Sequence, residues 1–204
     1  MTELAFAGRH TCDSPEWYTP TLFVDAAREV MGGIDLDPAS HEEANERLQI
    51  PRFFTEADNG LLRDWFGRVF INPPGGLVNE FWIALLLHYL AGRVEQAVWI
   101  GYSLEQLQTL QKSGARLAPV TYLTCFSDSR IAFVENEAKK AQRIEKLLAK
   151  GEAPNASKAA RKVAESIRRG NPPADSPSHS NYITYLGPNI DAFRRVFSRF
   201  GVVK

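Results

Sequence analysis

The chain has 204 residues, of which 44% are hydrophobic, and its formal net charge at pH 7 is zero. This length suits one domain with an insertion or two small domains, and it allows a proper hydrophobic core. Because positive and negative charges balance, the whole molecule is not a cationic nucleic-acid binder, and a nucleic-acid surface requires local segregation of charge.

The cysteines, the histidines and the apolar runs further limit the class of protein to which the chain can belong. The chain has two cysteines, Cys12 and Cys125, and nothing at its beginning resembles a signal peptide, which predicts a reduced, cytoplasmic protein. The four histidines show no zinc spacing, so we expect no metal. The longest apolar run, residues 81–87, is too short to cross a membrane and predicts a buried helix. No heptad or apolar stripe indicates an oligomeric state.

After a lead-in over residues 1–16, strands and helices alternate. Thr19 is expected to cap, and Pro20 to begin, a helix that Gly32 and Gly33 end. The further expected elements are a strand over 34–37, a polar helix over 39–48, a loop over 51–67, a strand over 69–71, a helix over 77–91, a strand over 97–101, a helix over 104–112 and a strand over 119–125. This alternation predicts an α/β protein with a mainly parallel sheet flanked by helices.

The predicted strand over 69–71 ends at Asn72, Pro73 and Pro74. A residue that precedes proline is disfavoured in the α region, so both Asn72 and Pro73 are expected to be extended. Proline also has no N–H with which to continue a sheet. The result is a stiff peptide with an amide side chain and bare carbonyls at a strand end, where ligands bind in open α/β sheets. A strand that simply ends at prolines is the alternative.

Residues 135–170 differ in composition from the rest of the chain. They contain ten basic and five acidic side chains, an excess of positive charge that is sufficient for an electrostatic footprint. Gly151 to Asn155 divide the stretch into two helical pieces. A solvated helical hairpin is the alternative to a binding arm.

The α/β pattern resumes after this stretch. A Pro- and Ser-rich loop over 171–180 precedes a strand over 182–186 and a helix over 190–200. We therefore predict a core formed by residues 1–134 and 177–204, interrupted by a basic helical insertion over residues 135–176.

The order of the motifs resembles that of the phage-type DNA N6-adenine methyltransferase family. The motifs are W-Y-T-P (17–20), D-L-D-P-A-S (35–40), A-D-N-G-L (57–61) followed by Trp65, V-F-I-N-P-P (69–74), R-I-A-F (130–133) and P-S-H-S-N-Y-I-T-Y (177–185). Together they cover most of the chain. The resemblance implies a Rossmann-like fold, S-adenosylmethionine as cofactor and double-stranded DNA as partner, in the cytoplasm of a bacterium that hosts a phage or prophage.

The resemblance also implies that Asn72, Pro73 and Pro74 form the catalytic corner. Adenine N6 is a poor nucleophile because its lone pair is delocalised into the ring. Acceptors for both amino hydrogens draw this lone pair towards attack, and the Asn72 side-chain oxygen and the Pro73 carbonyl are the expected acceptors. The prolines hold both in place, so the stabilisation is preorganised. The cofactor's sulfonium already activates the methyl group, and no base, metal or covalent nucleophile is required.

By the same resemblance, three motifs supply the cofactor-binding residues. Asp37 is the favoured acid for ribose hydroxyls or the methionine ammonium, and Asp58 resembles the acid that meets the cofactor's adenine amino group. The expected set is Trp17, Thr19, Pro20, Asp35, Asp37, Ala39 and Asp58. The alternatives are turn acids at Asp37 and Asp58 and a capped helix with a buried Trp17. A G-x-G loop is missing, but S-adenosylmethionine has no phosphate to bind.

On the DNA side, the basic stretch is expected to grip phosphates. The expected DNA-binding residues are Lys139, Lys140, Arg143, Arg161, Lys162, Arg168, Arg169 and, in the R-I-A-F motif, Arg130.

One position departs from the family pattern. Gly75 stands where the family has Tyr or Phe, which stacks on the target base in a contact worth about 1–3 kcal/mol. The candidates to replace this aromatic are Trp65, Phe81, Trp82 and Phe133.

The leading hypothesis is a DNA N6-adenine methyltransferase that flips its target adenine out of the duplex. A methyltransferase acting on RNA adenine or on a glutamine side chain is the second hypothesis. A DNA- or cofactor-binding module of low activity is the third, and Gly75 is its main support.

Overall fold

The structure, a computed structural model, describes residues 17–101, 103–104, 106–107, 123–135, 137–171 and 181–204. The chain divides into two compact units. Of the described residues, unit 1 contains those from Thr19 to Ile131 and those from 181 to the end, and unit 2 contains Trp17, Tyr18 and those from Ala132 to 171. Unit 2 therefore holds the basic stretch together with the first two described residues.

The strands are β1 (Trp17–Tyr18), β2 (Leu36–Asp37), β3 (Arg52–Phe53), β4 (Gly67–Ile71), β5 (Val94–Gly101), β6 (Leu123–Ser127), β7 (Val134–Glu135), β8 (Tyr182–Leu186) and β9 (Gly201–Val203). The helices described over their full length are α1 (Thr21–Met31), α2 (Glu42–Leu48), α3 (Val78–Leu90), α4 (Glu137–Glu152), α5 (Lys158–Arg168) and α6 (Ile190–Phe197). Within the described part of the chain, no helix combines the length and apolar character needed to cross a membrane.

A seven-stranded sheet forms the centre of unit 1, in the order β3-β2-β4-β5-β8-β6-β9. The strands β3, β2, β4 and β5 are parallel to one another. The strand β8 is antiparallel to both β5 and β6, and β9 is antiparallel to β6. The predicted class, an α/β Rossmann-like sheet flanked by helices, is confirmed.

Helix α3 packs on one face of this sheet, as its apolar sequence predicts. Its residues Phe81, Trp82 and Leu85 join a buried cluster with Ile71 of β4 and Trp99 of β5. The rings of Trp82 and Trp99 meet edge to face with centroids 5.0 Å apart, an arrangement that aromatic quadrupoles favour. Since α3 follows the Asn-Pro-Pro sequence directly, this packing also anchors the end of β4.

Helix α1 begins differently from the prediction. It starts at Thr21, Pro20 occupies the N-cap position with ψ 136°, and no side chain caps the helix. The expected Thr19 cap is wrong because the helix begins one residue later than predicted, so that Pro20 occupies the N-cap position and Thr19 lies outside the helix. The C-terminal end is as predicted, with Gly32 left-handed at φ 75°.

Four short strands, β1, β3, β7 and β9, were missed. Strand β3 lies within the predicted loop over 51–67, and β9 follows a final helix that ends at Phe197 instead of 200. Strands of two and three residues are too short to show an alternating pattern. The predicted strand over 34–37 is shortened to Leu36–Asp37. The helical break predicted at Gly151 begins after Glu152. Most of the predicted helix over 104–112, the start of the strand at 119 and the loop over 172–180 lie outside the described residues.

An ion pair joins the chain before β2 to the beginning of β4. The Arg68 guanidinium donates to both carboxylate oxygens of Asp35, from Nε at 2.8 Å and from Nη2 at 2.7 Å, and also to the carbonyl of Gly32. The Arg68 backbone N–H donates to Asp35 Oδ2 at 2.8 Å. This pairing lowers the pKa of Asp35. Gly67, with φ 63°, allows the approach, since a Cβ there would lie 2.6 Å from Asp35 Oδ2.

We expect Arg68→Ala to destabilise unit 1 by about 1–3 kcal/mol, because it leaves the Asp35 carboxylate and the Gly32 carbonyl without their charged donor. Denaturant titration measures the change in the free energy of unfolding. Arg195→Ala is the matched control, since Arg195 is exposed. Equal stability of the two variants would contradict a structural role for this ion pair.

Candidate active site

The carboxyl ends of β2, β4 and β5 meet at one edge of the sheet. Leu36 lies beside Val69 in the parallel pair β2–β4, and Ile71 lies beside Trp99 in the parallel pair β4–β5. Asp37 therefore lies at the same edge as Asn72, which follows Ile71. With strands about 4.8 Å apart and a rise of about 3.3 Å per residue, the two Cα atoms are roughly 8 Å apart.

Asp37 and Asn72 also lie on the same face of the sheet. Leu36, Val69 and Ile71 belong to the cluster that packs against α3. Because side chains alternate between faces along a strand, Asp37 and Asn72 belong to the opposite face. Helix α1 packs against β4 and β5. The end of α1 leads into β2 at the amino edge of the sheet. The beginning of α1, after Thr19, therefore lies at the carboxyl edge.

The Asn-Pro-Pro corner presents hydrogen-bond acceptors that no described residue uses. Asn72 is half-buried, and its side chain makes no hydrogen bond with any residue that the structure describes. Pro73 is buried, and its carbonyl accepts no backbone N–H from the described chain. The Pro74 carbonyl accepts the Leu77 N–H at 3.0 Å, which closes a 3-10 turn before α3. The corner is thus fixed by backbone structure while its amide and one carbonyl stay available.

Asp37 is a buried carboxyl with 4% of its surface exposed. Its Oδ1 accepts the Ala39 N–H at 3.0 Å. Burial raises the pKa of Asp37 to about 7, because loss of water disfavours the ionised form; the Ala39 N–H and the Ser40 hydroxyl oppose this shift. The second oxygen, Oδ2, accepts no hydrogen bond of ordinary geometry from a described residue, so Asp37 is poised to change charge near neutral pH.

Two residues with hydroxyl side chains, Ser40 beside Asp37 and Thr19 before α1, are also buried. Ser40 Oγ is buried and, although it approaches Asp37, it has no hydrogen bond of ordinary geometry among the described residues. Thr19, which is 6% exposed, makes no side-chain hydrogen bond within the same residues. Buried polar atoms are nearly always paired. Asp37 and Ser40 are therefore neighbouring polar groups suited to a polar ligand, and Thr19 is a buried polar residue at the beginning of α1.

The motif A-D-N-G-L packs directly against the D-P-A-S turn. A Cβ on Gly60 would lie 2.0 Å from the Pro38 carbonyl oxygen, so a larger residue would push the two motifs apart. On the other side of the turn, Phe54 accepts the Ser40 N–H and donates to the Asp37 carbonyl, both at 2.9 Å. Sequence reasoning did not single out Ser40 or Gly60, although the quoted motifs contain both.

Asp58 has a clear local role. Its Oδ2 accepts the N–H and the hydroxyl of Thr55, each at 2.9 Å, and these bonds lower the pKa of Asp58. Asp58 is thus a turn acid, as the alternative reading expected. It also lines an open cleft of about 540 Å³ beside β3, together with Arg52 and Phe54. Its contact with the cofactor's adenine stays a prediction.

Three other expectations fare differently. Asp35 lies before β2, at the amino edge, and Arg68 occupies both of its oxygens, which corrects its assignment to the cofactor. Trp17 belongs to β1 of unit 2, where it pairs with Glu135 of β7, and the structure does not place it relative to Asp37. Pro20 and Ala39 lie in unit 1, next to Thr19 and Ser40 respectively.

The structure offers no aromatic substitute at Gly75 among the four candidates. Trp65 is fully buried, donates to the Gly60 carbonyl at 2.8 Å and stacks on His88. Phe81 and Trp82 are core residues on the buried side of α3, and Phe133 is a buried residue of unit 2. Gly75 and Gly76 are exposed, and a Cβ on Gly76 would meet no atom within 4 Å.

The basic stretch forms a tight helical hairpin in unit 2. A Cβ on Gly151 of α4 would lie 2.4 Å from the Cβ of Ala164 in α5, so small residues bring the helices close. The exposed side of α5 carries Lys158, Arg161 and Lys162 at helical spacing.

The predicted DNA-binding residues of this hairpin fall into groups. Arg168 pairs with Glu152, and Arg169 pairs with Glu165, which partly neutralises these two cations. Arg161 donates to the Pro154 carbonyl at 3.4 Å. Lys140 and Arg143 of α4 have partners of their own, and the side chain of Lys139 lies outside the described residues. The side chains of Lys162 and of Arg130 in unit 1 are exposed, and neither bonds to a described residue.

We expect Asp37→Asn to stabilise the ligand-free protein at pH 8 but not at pH 4. The folded pKa is raised from 3.8 to about 7, so the wild-type stability is full below pH 3.8 and falls as pH rises through 7. The variant escapes this loss because its side chain stays neutral. Thermal unfolding between pH 4 and 8 measures the effect, which should exceed about 2–4 °C at pH 8; a pH-independent difference would contradict a buried, titrating Asp37.

Comparison with known proteins agrees with this geometry. The model of the family described as DNA N-6-adenine-methyltransferase (Dam) matches residues 10–147. Neither the curated proteins nor the solved structures that were searched contain a match. Within the described residues, no group of three or more His, Cys, Asp or Glu side chains is arranged to hold a metal ion. The family match spans both the Asp37 turn and the Asn-Pro-Pro corner and covers more than half of the chain, and the protein therefore belongs to the DNA N-6-adenine-methyltransferase family.

Proposed function

We propose that the protein transfers a methyl group from S-adenosylmethionine to N6 of adenine at specific sites in double-stranded DNA. The observation that carries the proposal is the pair of unused acceptors at Asn72 and Pro73, held rigidly at the same sheet edge as the buried Asp37. An amino group with two hydrogens matches two fixed acceptors. Family membership supplies the substrate class.

The chemistry requires the corner to act on the adenine amino group. The Asn72 side-chain oxygen accepts a hydrogen bond from one N6–H, and the Pro73 carbonyl oxygen accepts a hydrogen bond from the other. Withdrawing both hydrogens from the ring plane concentrates the nitrogen lone pair on the side that attacks. Because the two prolines and the 3-10 turn fix these acceptors beforehand, little reorganisation is needed at the moment of reaction.

The neighbouring polar groups of Asp37 and Ser40 fit S-adenosylmethionine. This cofactor supplies a methyl group activated by its sulfonium. Its ammonium and ribose hydroxyls are donors, and Asp37 Oδ2 is an available acceptor. The Ser40 hydroxyl is buried and makes no hydrogen bond of ordinary geometry among the described residues, so it can bond to the polar parts of such a ligand, and the buried Thr19 is a second candidate. The cofactor-binding residues that we propose are Thr19, Pro20, Asp37, Ala39 and Ser40, with Trp17 and Asp58 as further candidates.

DNA binding in this proposal comes from unit 2 and Arg130. The hairpin of α4 and α5 presents Lys158, Arg161 and Lys162 on its exposed side. Such cations bind phosphates and release counterions, which gives affinity without reading bases. The target adenine leaves the duplex to reach the corner, since its N6 is not accessible for in-plane attack while it is paired and stacked.

We expect Asn72→Ala to lower the rate of methyl transfer by about 10²–10³-fold, the usual cost of removing one preorganised polar group. Asn72→Asp keeps an oxygen at the same place and should retain most of the rate. Transfer of labelled methyl groups to DNA measures both rates, and the unfolding temperature shows that both variants are folded. If Asn72→Ala labels DNA as fast as the wild type, the assigned acceptor is wrong.

The choice of acceptor molecule separates this proposal from the other hypotheses. The wild type, mixed in parallel with DNA, RNA and total protein, should label DNA preferentially. Preferential labelling of RNA or protein supports a methyltransferase of another planar amine. Cofactor binding without transfer to any acceptor indicates a binding module, for which the exposed Gly75 is the structural argument.

We expect the combined change of Lys158, Arg161 and Lys162 to Gln to reduce the salt dependence of DNA binding. Loss of three phosphate contacts should lower the slope of log Kd against log salt by about 2.7, since each contact contributes about 0.9. Titration of labelled duplex at several salt concentrations measures the slope.

The control carries the same loss of charge in unit 1, at Arg47, Arg195 and Lys204, all of which are exposed. Its slope should stay near that of the wild type. Equal reductions in the two triple variants would mean that the hairpin acts through net charge alone and is no specific DNA surface.

A further inference from the structure

A buried amide lies at the beginning of β8. Asn181 is 3% exposed. Its Nδ2 donates to the Gly101 carbonyl at 3.2 Å, and its Oδ1 accepts the Ile131 N–H at 2.9 Å. One side chain thus ties the end of β5 to the segment that follows β6. An amide is suited to this task because it offers a donor and an acceptor at once.

This contact lies at the carboxyl edge of the sheet. Strand β8 runs antiparallel to β5, with Tyr182 beside Gly101, so Asn181 lies at the carboxyl end of β5. Strand β6 is also antiparallel to β8 and is therefore parallel to β5. It ends at Ser127 at the same edge, from which the chain returns to Asn181. Strand β8 is two strands away from β4 in the sheet, so the axes of these strands are roughly 10 Å apart.

Tyr182, the residue after Asn181, contacts the end of β5 and the segment that follows it. A Cβ on Gly101 would lie 2.0 Å from the ring of Tyr182, so the ring lies directly on the end of β5. The Tyr182 hydroxyl bonds to Gln106 Oε1 at 3.1 Å. Tyr182 thus holds the segment after β5, whereas Asn181 holds the segment that contains Ile131.

The segment held by Asn181 carries an exposed cation. Ile131 is 1% exposed and anchors the segment in unit 1. The preceding residue, Arg130, is exposed and bonds to no residue that the structure describes. Its backbone is anchored at the neighbouring Ile131, and its planar guanidinium matches the bidentate geometry of a phosphate.

We propose that Asn181 is a positioning residue for DNA, which fixes Arg130 where it contacts a backbone phosphate beside the nucleotide whose adenine enters the corner. This inference rests on the proposed function. Phosphate contacts set the register of a protein on DNA, so the Asn181 hydrogen bonds would align the target base with Asn72. Asn181 does not touch the substrate in this role; it acts through Arg130.

The salt dependence of DNA binding distinguishes positioning from a merely structural contribution. Arg130→Ala should lower the slope of log Kd against log salt by about 0.9, the value for one phosphate. Asn181→Ala should lower it by the same amount, and Arg130→Ala should add nothing in the Asn181→Ala background. Tyr182→Phe removes a buried hydrogen bond at the adjacent residue and should leave the slope unchanged. All four proteins are measured as full chains below their unfolding temperatures.

Two results would overturn the inference. One is an unchanged slope in Arg130→Ala, which is an exposed substitution that leaves the core intact. The other is an Asn181→Ala variant whose slope still falls when Arg130 is removed, because the two residues would then act independently. If Asn181→Ala does not fold, the Asn181→Ser variant is measured in its place. The shorter serine side chain also loses the hydrogen bond from the Ile131 N–H. Cofactor affinity should be unchanged in every variant, whereas general destabilisation would lower it together with DNA affinity.

Failure of the proposed function gives a different pattern. If the wild type transfers no methyl group but shows the coupled slopes, the positioning role stands and the enzymatic proposal fails. If the wild type methylates DNA and the slopes of the Arg130 and Asn181 variants equal that of the wild type, the enzymatic proposal stands and the positioning role fails.

Discussion

The site depends on the parallel pairing of β2 with β4. These strands are distant in the chain; Pro38 follows β2 directly, and Pro73 follows β4 after one residue, Asn72. Because they run in the same direction, with Leu36 beside Val69, both strands end at the same edge. A shift of one residue in this register would turn either Asp37 or Asn72 to the α3 face. The buried cluster on that face, with Leu36, Val69 and Ile71, makes such a shift costly.

The ion pair at the opposite edge shows how differently the same residue type behaves at the two ends of β2. Asp35 and Asp37 are two residues apart. Arg68 satisfies Asp35 and lowers its pKa, whereas burial without a cation raises the pKa of Asp37 to about 7. The paired acid holds the strands together. The unpaired acid costs stability when ionised, a cost that a ligand with donor groups would offset in the proposed function.

The sequence predicts the elements that carry strong local signals and misses those that depend on distant partners. The Asn-Pro-Pro corner follows from the conformational limits of proline, and α3 follows from its apolar run. Asp35 and Asp37 look equivalent in an alternating stretch, and only the position of Arg68, 33 residues away, separates them. Thr19 before Pro20 has the local pattern of a helix cap, but the helix begins one residue later, at Thr21. Asn181 lies within the P-S-H-S-N-Y-I-T-Y motif, but its hydrogen bonds could not be predicted, because its partners Gly101 and Ile131 are far away in sequence.

Gly75 changes where the energy for holding a target base has to come from. An aromatic there would add about 1–3 kcal/mol by stacking, and the four aromatic candidates in the motif regions are buried. Two hydrogen bonds from the corner select an amino group, but each contributes only about 0.5–1.5 kcal/mol. In the proposed function, most of the affinity for DNA must then come from phosphates.

The charge distribution is consistent with affinity that comes from phosphates. Residues 135–170 carry ten basic and five acidic side chains, and because the whole chain is neutral, the other residues carry an excess of five acidic side chains. Selection by the corner and affinity from the hairpin and Arg130 are thus assigned to separate parts of the chain. The fixed link between the two tasks would have to be a residue such as Asn181, which joins the strand next to β4 with the segment that carries Arg130.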